Sequence, residues 1–463
     1  MADAAPPSLA RCAIPAAILV LAAILRLHDL AAQSIWFDEA ATIRIVNQDW
    51  ATMFDTIRTG ERIPPLHYVL LHAWVRVFGD SDFSVRLPSA IASVAAVWAV
   101  YKLGAYVLGW AEGCIAALLM ATSSFHIAYA QETRAYALLA LLSVLSCYWF
   151  ARLLHGDSDA RRARRIELAY VVTTALLLYC HLYGVFAIAA QHLAYTVALV
   201  SRRKPAIFVR RWAMLNVAVL ALFSPWVPVV VRWVRSVHTD FWVLPMTLDA
   251  VSDAFRQYTG SAALVAVLAA LLVVGVARTR DDPRTLALLL GLMLPPVVVP
   301  VVLSILARPT FTPRYAIAAV AGLYLLAARG IMALRPAWVR ALVTSVALVL
   351  SVIGRDGGME KADWRGAVAH VERRADADDI VVITPRLTTY PYDHYATRTN
   401  LRRKGFDTWS IPLGLPLEEG VRVWLIYPPH DMAMNAILAR GNWRVVSRRG
   451  FKELQVVELD DGP

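Results

Sequence analysis

The sequence predicts an all-α polytopic membrane protein of about eleven transmembrane helices, with a small C-terminal extracytoplasmic α/β domain. Three observations carry this. Of 463 residues, 58% are hydrophobic and only 17% charged, with mean hydropathy +0.52; soluble domains sit nearer about 45–50% and 25%. The apolar residues collect in stretches of roughly 17–25, the length that crosses a bilayer. From about residue 355 onward the pattern changes to short helix-like and strand-like runs. A cytosolic enzyme, a disordered chain and a disulfide-stapled secreted domain are all excluded by this composition.

In chain order, the candidate spans cover about 12–30, 86–108, 112–128, 133–154, 166–181, 183–200, 211–232, 261–277, 285–306, 313–330 and 337–354. The first is read as a span rather than a signal peptide, because further membrane segments follow and no clear cleavage site does. Pro64–Gly79 (PPLHYVLLHAWVRVFG) is apolar and helical in pattern but holds His67, His72 and Arg76. Charge parity decides it. The loops Arg152–Arg165, with five Arg, and Arg202–Arg211, with four Arg and Lys204, flank one helical hairpin, so both lie on the cytoplasmic side. The N-terminus is then inside, the C-terminal domain outside, and 64–79 is a helix along the membrane surface.

Three segments become extracytoplasmic: 31–85, 233–260 (with Trp233 and Trp242) and the C-terminus. The first carries four basic and seven acidic residues, the reverse of the cytoplasmic loops. Two domains result, residues 1–354 in the membrane and 355–463 outside. The net charge of +11, from 46 Lys+Arg against 35 Asp+Glu, falls in clusters between apolar runs and reflects topology rather than nucleic-acid binding. The four cysteines all sit in apolar stretches and suggest neither a disulfide framework nor a metal site. In the outer domain, Asp363–Ala375 has helical spacing, while Asp379–Thr384, Val421–Tyr427, Trp443–Ser447 and Leu454–Leu459 read as strands.

Four places bear chemistry. Ser34-Ile-Trp-Phe-Asp-Glu-Ala40 follows the first span directly, and adjacent carboxylates beside Trp36 can place one group in a partly apolar setting, as a general base requires. Its plain alternative is that Asp38 and Glu39 open a helix and favour its positive end. Tyr129-Ala-Gln-Glu-Thr-Arg-Ala-Tyr136 sets Arg134 at the mouth of a membrane helix, where its planar fork suits a phosphate. Alternatively Arg134 is an interface residue paired with Glu132 between belt tyrosines. Pro309-Thr-Phe-Thr-Pro-Arg-Tyr315 supplies Arg308, Arg314 and Tyr315, or else is a Pro-bounded loop with a snorkelling Arg. Tyr179-Cys-His-Leu-Tyr-Gly184 is a hairpin tip in which His181 is either structural or part of a site. No zincin, P-loop or triad spacing occurs.

Together these residues resemble the GT-C glycosyltransferases, in particular the bacterial group related to dolichyl-phosphate-mannose protein mannosyltransferases and lipid A aminoarabinose transferase. The resemblance spans roughly 20–370. It rests on WFDEA at 36–40, PPLHYVLLHAWVRVFGDSDFSVRLPSA at 64–90, AYAQETRAYAL at 128–138, YCHLYG at 179–184, PRY at 313–315 and DWRGAV at 363–368. It implies a GT-C-like fold in a bacterial inner membrane and an inverting transfer of a mannose-like or pentose sugar. The donor would be a polyprenyl-phosphate sugar, and the acceptor an extracytoplasmic glycan, lipid or protein.

Under the resemblance Asp38 is the base and Glu39 assists, while Arg134 and Arg314 hold the leaving phosphate and Tyr315 donates a hydrogen bond. His67, Glu132 and His181 are further substrate-site candidates. Some enzymes of this kind use a divalent cation; Asp38 with Glu39 could serve one, but no third ligand is apparent, so the cofactor stays unassigned. The rival class is a lipid or glycolipid transporter or flippase. Such proteins often carry paired repeats with interrupted helices. This chain shows no repeat, and its carboxylates lie in a loop rather than mid-span.

Overall fold

The computed structural model describes residues 8–61, 63–156, 159–201, 205–236, 247–306, 310–353, 360–406, 422–431 and 443–461. Among them, every apolar stretch named above is helical. Four helices are long and apolar enough to cross a membrane: Asp82–Val107, Tyr136–His155, Val209–Arg235 and Ala262–Thr279. Two bent pairs raise this to six if each pair counts as one span: Trp110–Thr122 with Ser124–Ala130, at 62°, and Pro283–Met293 with Pro295–Leu306, at 45°. Gly184–Val200, Ala319–Ala333 and Ala337–Ile353 are apolar but shorter. The helix Leu66–Phe78 has 13 residues, about 20 Å at 1.5 Å per residue, too short to span.

The chain forms two compact units. One comprises the described residues of Met1–His28, Asp49–Trp74 and Arg86–Gly358; the other, those of Asp29–Gln48, Val75–Val85 and Met359–Pro463. Segment 31–85 is therefore divided between them.

Small residues and buried polar groups organise the helical unit. Gly275 and Gly330 sit where the helices Ala262–Thr279 and Ala319–Ala333 cross. A Cβ on Gly275 would collide with the Leu326 carbonyl, and one on Gly330 with the Leu271 carbonyl. Backbone approach this close is how membrane helices gain dispersion contact without a hydrophobic drive. Apolar side chains such as Val217, Leu220 and Val273 point outward.

Arg26, in the last turn of the helix Ser8–Leu27, is fully buried. Its Nη1 donates to the Ala121 carbonyl at 2.8 Å and its Nη2 to the Met120 carbonyl at 3.1 Å. Those carbonyls lose their helical partners at the 62° break, where Ser123 instead caps the next turn by accepting from the His126 N–H. Nε donates to Ser93 Oγ at 2.6 Å, and Nη2 lies 3.1 Å from His126 Nδ1. The guanidinium thus satisfies a helix break that apolar surroundings would otherwise leave costly.

The second unit centres on a mixed five-stranded sheet. Its strands are β1 (Ile380–Ile383), β2 (Arg402–Gly405), β3 (Val423–Tyr427), β4 (Trp443–Phe451) and β5 (Leu454–Asp461), in the order β2-β1-β3-β5-β4. β2, β1 and β3 run parallel; β5 and β4 join antiparallel. β1 and β3 are buried along their whole length, as central strands covered on both faces should be. The helix Trp364–Arg374 covers one face with Trp364, Val368 and Val371 against Val381, Ile383, Trp424 and Ile426. Asp363 caps it by accepting from the Gly366 N–H at 2.9 Å. Four of the strands and this helix match the sequence reading; β2 (RRKG) and the helix Thr389–Tyr395 do not follow from it. β2 is an edge strand whose charged residues discourage further pairing, so it shows no apolar alternation.

Candidate functional site

The helical unit gathers the cationic candidates. Helix Ser124–Ala130 ends at Gln131, and the turn Gln131–Ala135 carries Glu132 and Arg134 before helix Tyr136–His155 begins. The Arg134 N–H donates to the Glu132 carbonyl at 2.9 Å, and Ser89 Oγ donates to the Arg134 carbonyl at 3.3 Å, so the turn is held from both sides. Arg134 and Arg314 are 9% and 8% exposed. Arg314 lies in a 3-10 turn, Pro313–Ala316, where Pro313 takes a first-turn position that needs no N–H. Tyr258 Oη anchors that turn by donating to the Pro313 carbonyl at 3.1 Å.

His181 is where these elements meet. Its imidazole lies within electrostatic reach of both Arg134 and Arg314. It packs against Tyr315 at 5.0 Å, Tyr183 at 5.6 Å and Tyr136 at 6.2 Å between ring centroids. The Arg314 guanidinium is 5.7 Å from the Tyr136 ring and 5.8 Å from that of Tyr315. His67 is buried, hydrogen-bonds the Thr133 backbone and is within reach of Arg134; its Nε2 has no hydrogen-bond partner among the described residues. Two buried guanidinium groups walled by tyrosines and histidines make a place where an anion gains more than it would in water. All six unit-one candidates (His67, Glu132, Arg134, His181, Arg314 and Tyr315) thus belong to the helical unit, and Arg308 lies outside the described residues.

Asp38 and Glu39 belong to the other unit. They occupy the first turn of helix Phe37–Val46, as acidic helix-start residues do. Their environments differ sharply. Glu39 is fully buried, and its Oε2 receives the Lys361 ammonium at 3.0 Å, with the Lys361 side chain only 7% exposed. The Trp36 N–H also points to that oxygen, at 3.5 Å, as in a capping box. Asp38 is partly exposed. Neighbouring helical side chains diverge by about 100°, which separates an inward anchor from an outward, solvent-reaching carboxylate.

Asp82, which the sequence reading gave no role, accepts from three groups: Arg365 at 2.5 Å, Tyr395 Oη at 2.6 Å and His394 Nε2 at 3.1 Å. Tyr395 Oη in turn accepts from the Ile35 N–H at 2.6 Å. With Glu39 committed to Lys361, Asp38 lacks a second carboxylate donor. No group of three His, Cys, Asp or Glu side chains among the described residues could hold a metal ion. The donor set does not fit a divalent cation, and no step is routed through one.

Tyr136 and Tyr183 stand inside motifs singled out in the sequence, without a role until their rings are seen around His181. Lys361 and Asp82 carry no local signal, since their importance lies in distant partners. Arg26 did carry one: a charge within an apolar span marks a buried polar network.

The family model for dolichyl-phosphate-mannose-protein mannosyltransferase matches residues 62–230. No curated protein sequence matches the chain. The solved structure of ArnT from Cupriavidus metallidurans in the apo state superposes with a TM-score of 0.66 at 13% identity, covering 96% of this chain and 97% of that one. ArnT from the same organism bound to undecaprenyl phosphate gives 0.64 at 14% identity, covering 97% and 98%. The archaeal oligosaccharyltransferase AglB from Archaeoglobus fulgidus, in complex with an inhibitory peptide and a dolichol-phosphate, gives 0.57 at 12% identity, covering 87% and 65%. The chain therefore has an ArnT-like fold and resembles the GT-C superfamily of membrane glycosyltransferases.

Proposed function

We propose that this protein is a membrane glycosyltransferase that moves a sugar from a polyprenyl-phosphate donor to a hydroxyl-bearing extracytoplasmic acceptor, with inversion. The observation that carries the proposal is the pair of buried arginines, Arg134 and Arg314, acting on one imidazole within a wall of tyrosines. That is a site for a phosphate rather than for a neutral sugar alone. The undecaprenyl phosphate bound by ArnT and the dolichol-phosphate in the AglB complex support a lipid-linked donor.

In this mechanism the acceptor oxygen attacks C1 of the sugar as Asp38 takes its proton. The C1–O bond breaks, and its electron pair stays with the phosphate oxygen. Arg134 and Arg314 stabilise the charge that grows there, and Tyr315 donates a hydrogen bond to it. Attack from the face opposite the leaving phosphate inverts C1. Asp38 suits the proton transfer because it reaches solvent while its neighbour is locked inward. Eleven spans, a cytoplasmic N-terminus and an extracytoplasmic C-terminal domain in a bacterial inner membrane complete the proposal, with 64–79 along the surface.

Purified protein supplied with a radiolabelled polyprenyl-phosphate sugar and a membrane extract of acceptors tests it. Transfer by the native chain, lost in Asp38→Asn while undecaprenyl phosphate still binds, is the expected result. Movement of the labelled lipid between leaflets without transfer would instead make the protein a flippase. Reporter fusions near residue 205 and at the C-terminus should report opposite sides of the membrane.

A further inference from the structure

We propose that the C-terminal domain is a positioning module for the Asp38-bearing segment, with Tyr395 and Asp82 as its central strap. This rests on the reading of Asp38 as the base. The segment from Gln33 to Glu39 is tied down at nearly every residue by groups more than three hundred positions later. The Lys361 N–H donates to Gln33 Oε1 at 3.0 Å, and its ammonium meets Glu39 at 3.0 Å. Ser34 Oγ donates to Asp363 at 3.1 Å and accepts from the Arg365 N–H at 3.2 Å. Phe37 stacks on Tyr390 at 5.9 Å.

Between these contacts runs a relay. The Ile35 N–H donates to Tyr395 Oη, which donates to Asp82, the carboxylate that also takes Arg365 and His394. The phenol hydroxyl both accepts and donates here, so its geometry is set on two sides. Asp38 itself is not among the residues clamped by these printed contacts, yet it is flanked by Phe37 and Glu39, both anchored. A base held on a rigid segment keeps its oxygen within reach of the acceptor hydroxyl, and misplacement by about 1 Å can reduce turnover about a hundredfold. The domain thus acts on proton transfer, and the helical unit's arginines act on the donor phosphate.

Tyr395→Phe removes the relay and little else. The expected result is a fall in kcat of roughly 10- to 100-fold, with KM for the donor and the Kd for undecaprenyl phosphate unchanged within about twofold. Hydrogen exchange in peptides covering 31–44 should rise, a readout independent of activity. Asp82→Asn serves as the second variant should Tyr395→Phe not fold, with the same split expected. Unchanged exchange in 31–44 overturns the strap whatever the activity does, and so does a loss of turnover matched by an equal loss of donor binding. Asp38→Asn is measured alongside. If it stays active, the base reading fails; if it is dead while Tyr395→Phe is fully active, only the positioning role fails.

Discussion

Lys361→Met leaves a buried carboxylate without its counter-charge, and the size of the effect follows from the geometry. The Glu39 oxygen and Lys361 nitrogen are 3.0 Å apart, with side chains 0% and 7% exposed. At an effective dielectric of ~20, that separation is worth about 5 kcal/mol of attraction. Much of this offsets the desolvation of the two groups, so the pair contributes little net, but removing one partner costs about 3–5 kcal/mol. Methionine keeps the length of the stem, so the loss is chiefly electrostatic. Glu39→Leu combined with Lys361→Met removes both charges and should return to within about 1–2 kcal/mol of the native chain, the remainder reflecting the capping contact to the Trp36 N–H. Hydrogen exchange of the amides of β1 and β3, the buried central strands, reads the opening free energy of this unit. Single variants within about 0.5 kcal/mol of native, or a double variant as unstable as the sum of the singles, would refute the argument.

Arg134→Ala and Arg314→Ala should each raise the donor KM and the Kd for undecaprenyl phosphate at least about tenfold, and Lys at either position should recover only part, because a point charge cannot replace a two-donor fork; full recovery by Lys in a binding titration would reduce the site to a charge field. Arg26→Met should destabilise the helical unit by about 3–5 kcal/mol, since it leaves carbonyls at the 62° break and Ser93 without their donor, and a detergent-solubilised variant melting with the native chain would contradict this. Burial alone would raise the Glu372 carboxyl, but the Arg398 N–H and the hydroxyl and N–H of Thr397 outweigh it and hold it below the usual range. Its contribution to stability is therefore present above about pH 4.3 and lost as pH falls through the lower folded value; Glu372→Gln should flatten an acid unfolding profile there, and an unchanged profile would remove the assignment.

Much of the architecture was legible in the sequence because its causes are local. Each apolar stretch is a helix, since long runs of apolar side chains leave the backbone to satisfy itself. The short runs after residue 379 are strands, and Asp363 caps the helix that follows it. Asp38 and Glu39 were recognised as a pair and Arg134 and Arg314 as phosphate ligands from residue type and motif. Their division of labour was not. Which carboxylate turns inward depends on Lys361, 322 positions away. Which tyrosines surround His181 depends on three separate turns. Arg26 finds its carbonyls 94 and 95 residues later. A charged residue in sequence announces only that its burial must be compensated; the partner that compensates it is chosen when distant segments are packed together, because the energy of a buried charge depends on what lies within a few ångströms of it.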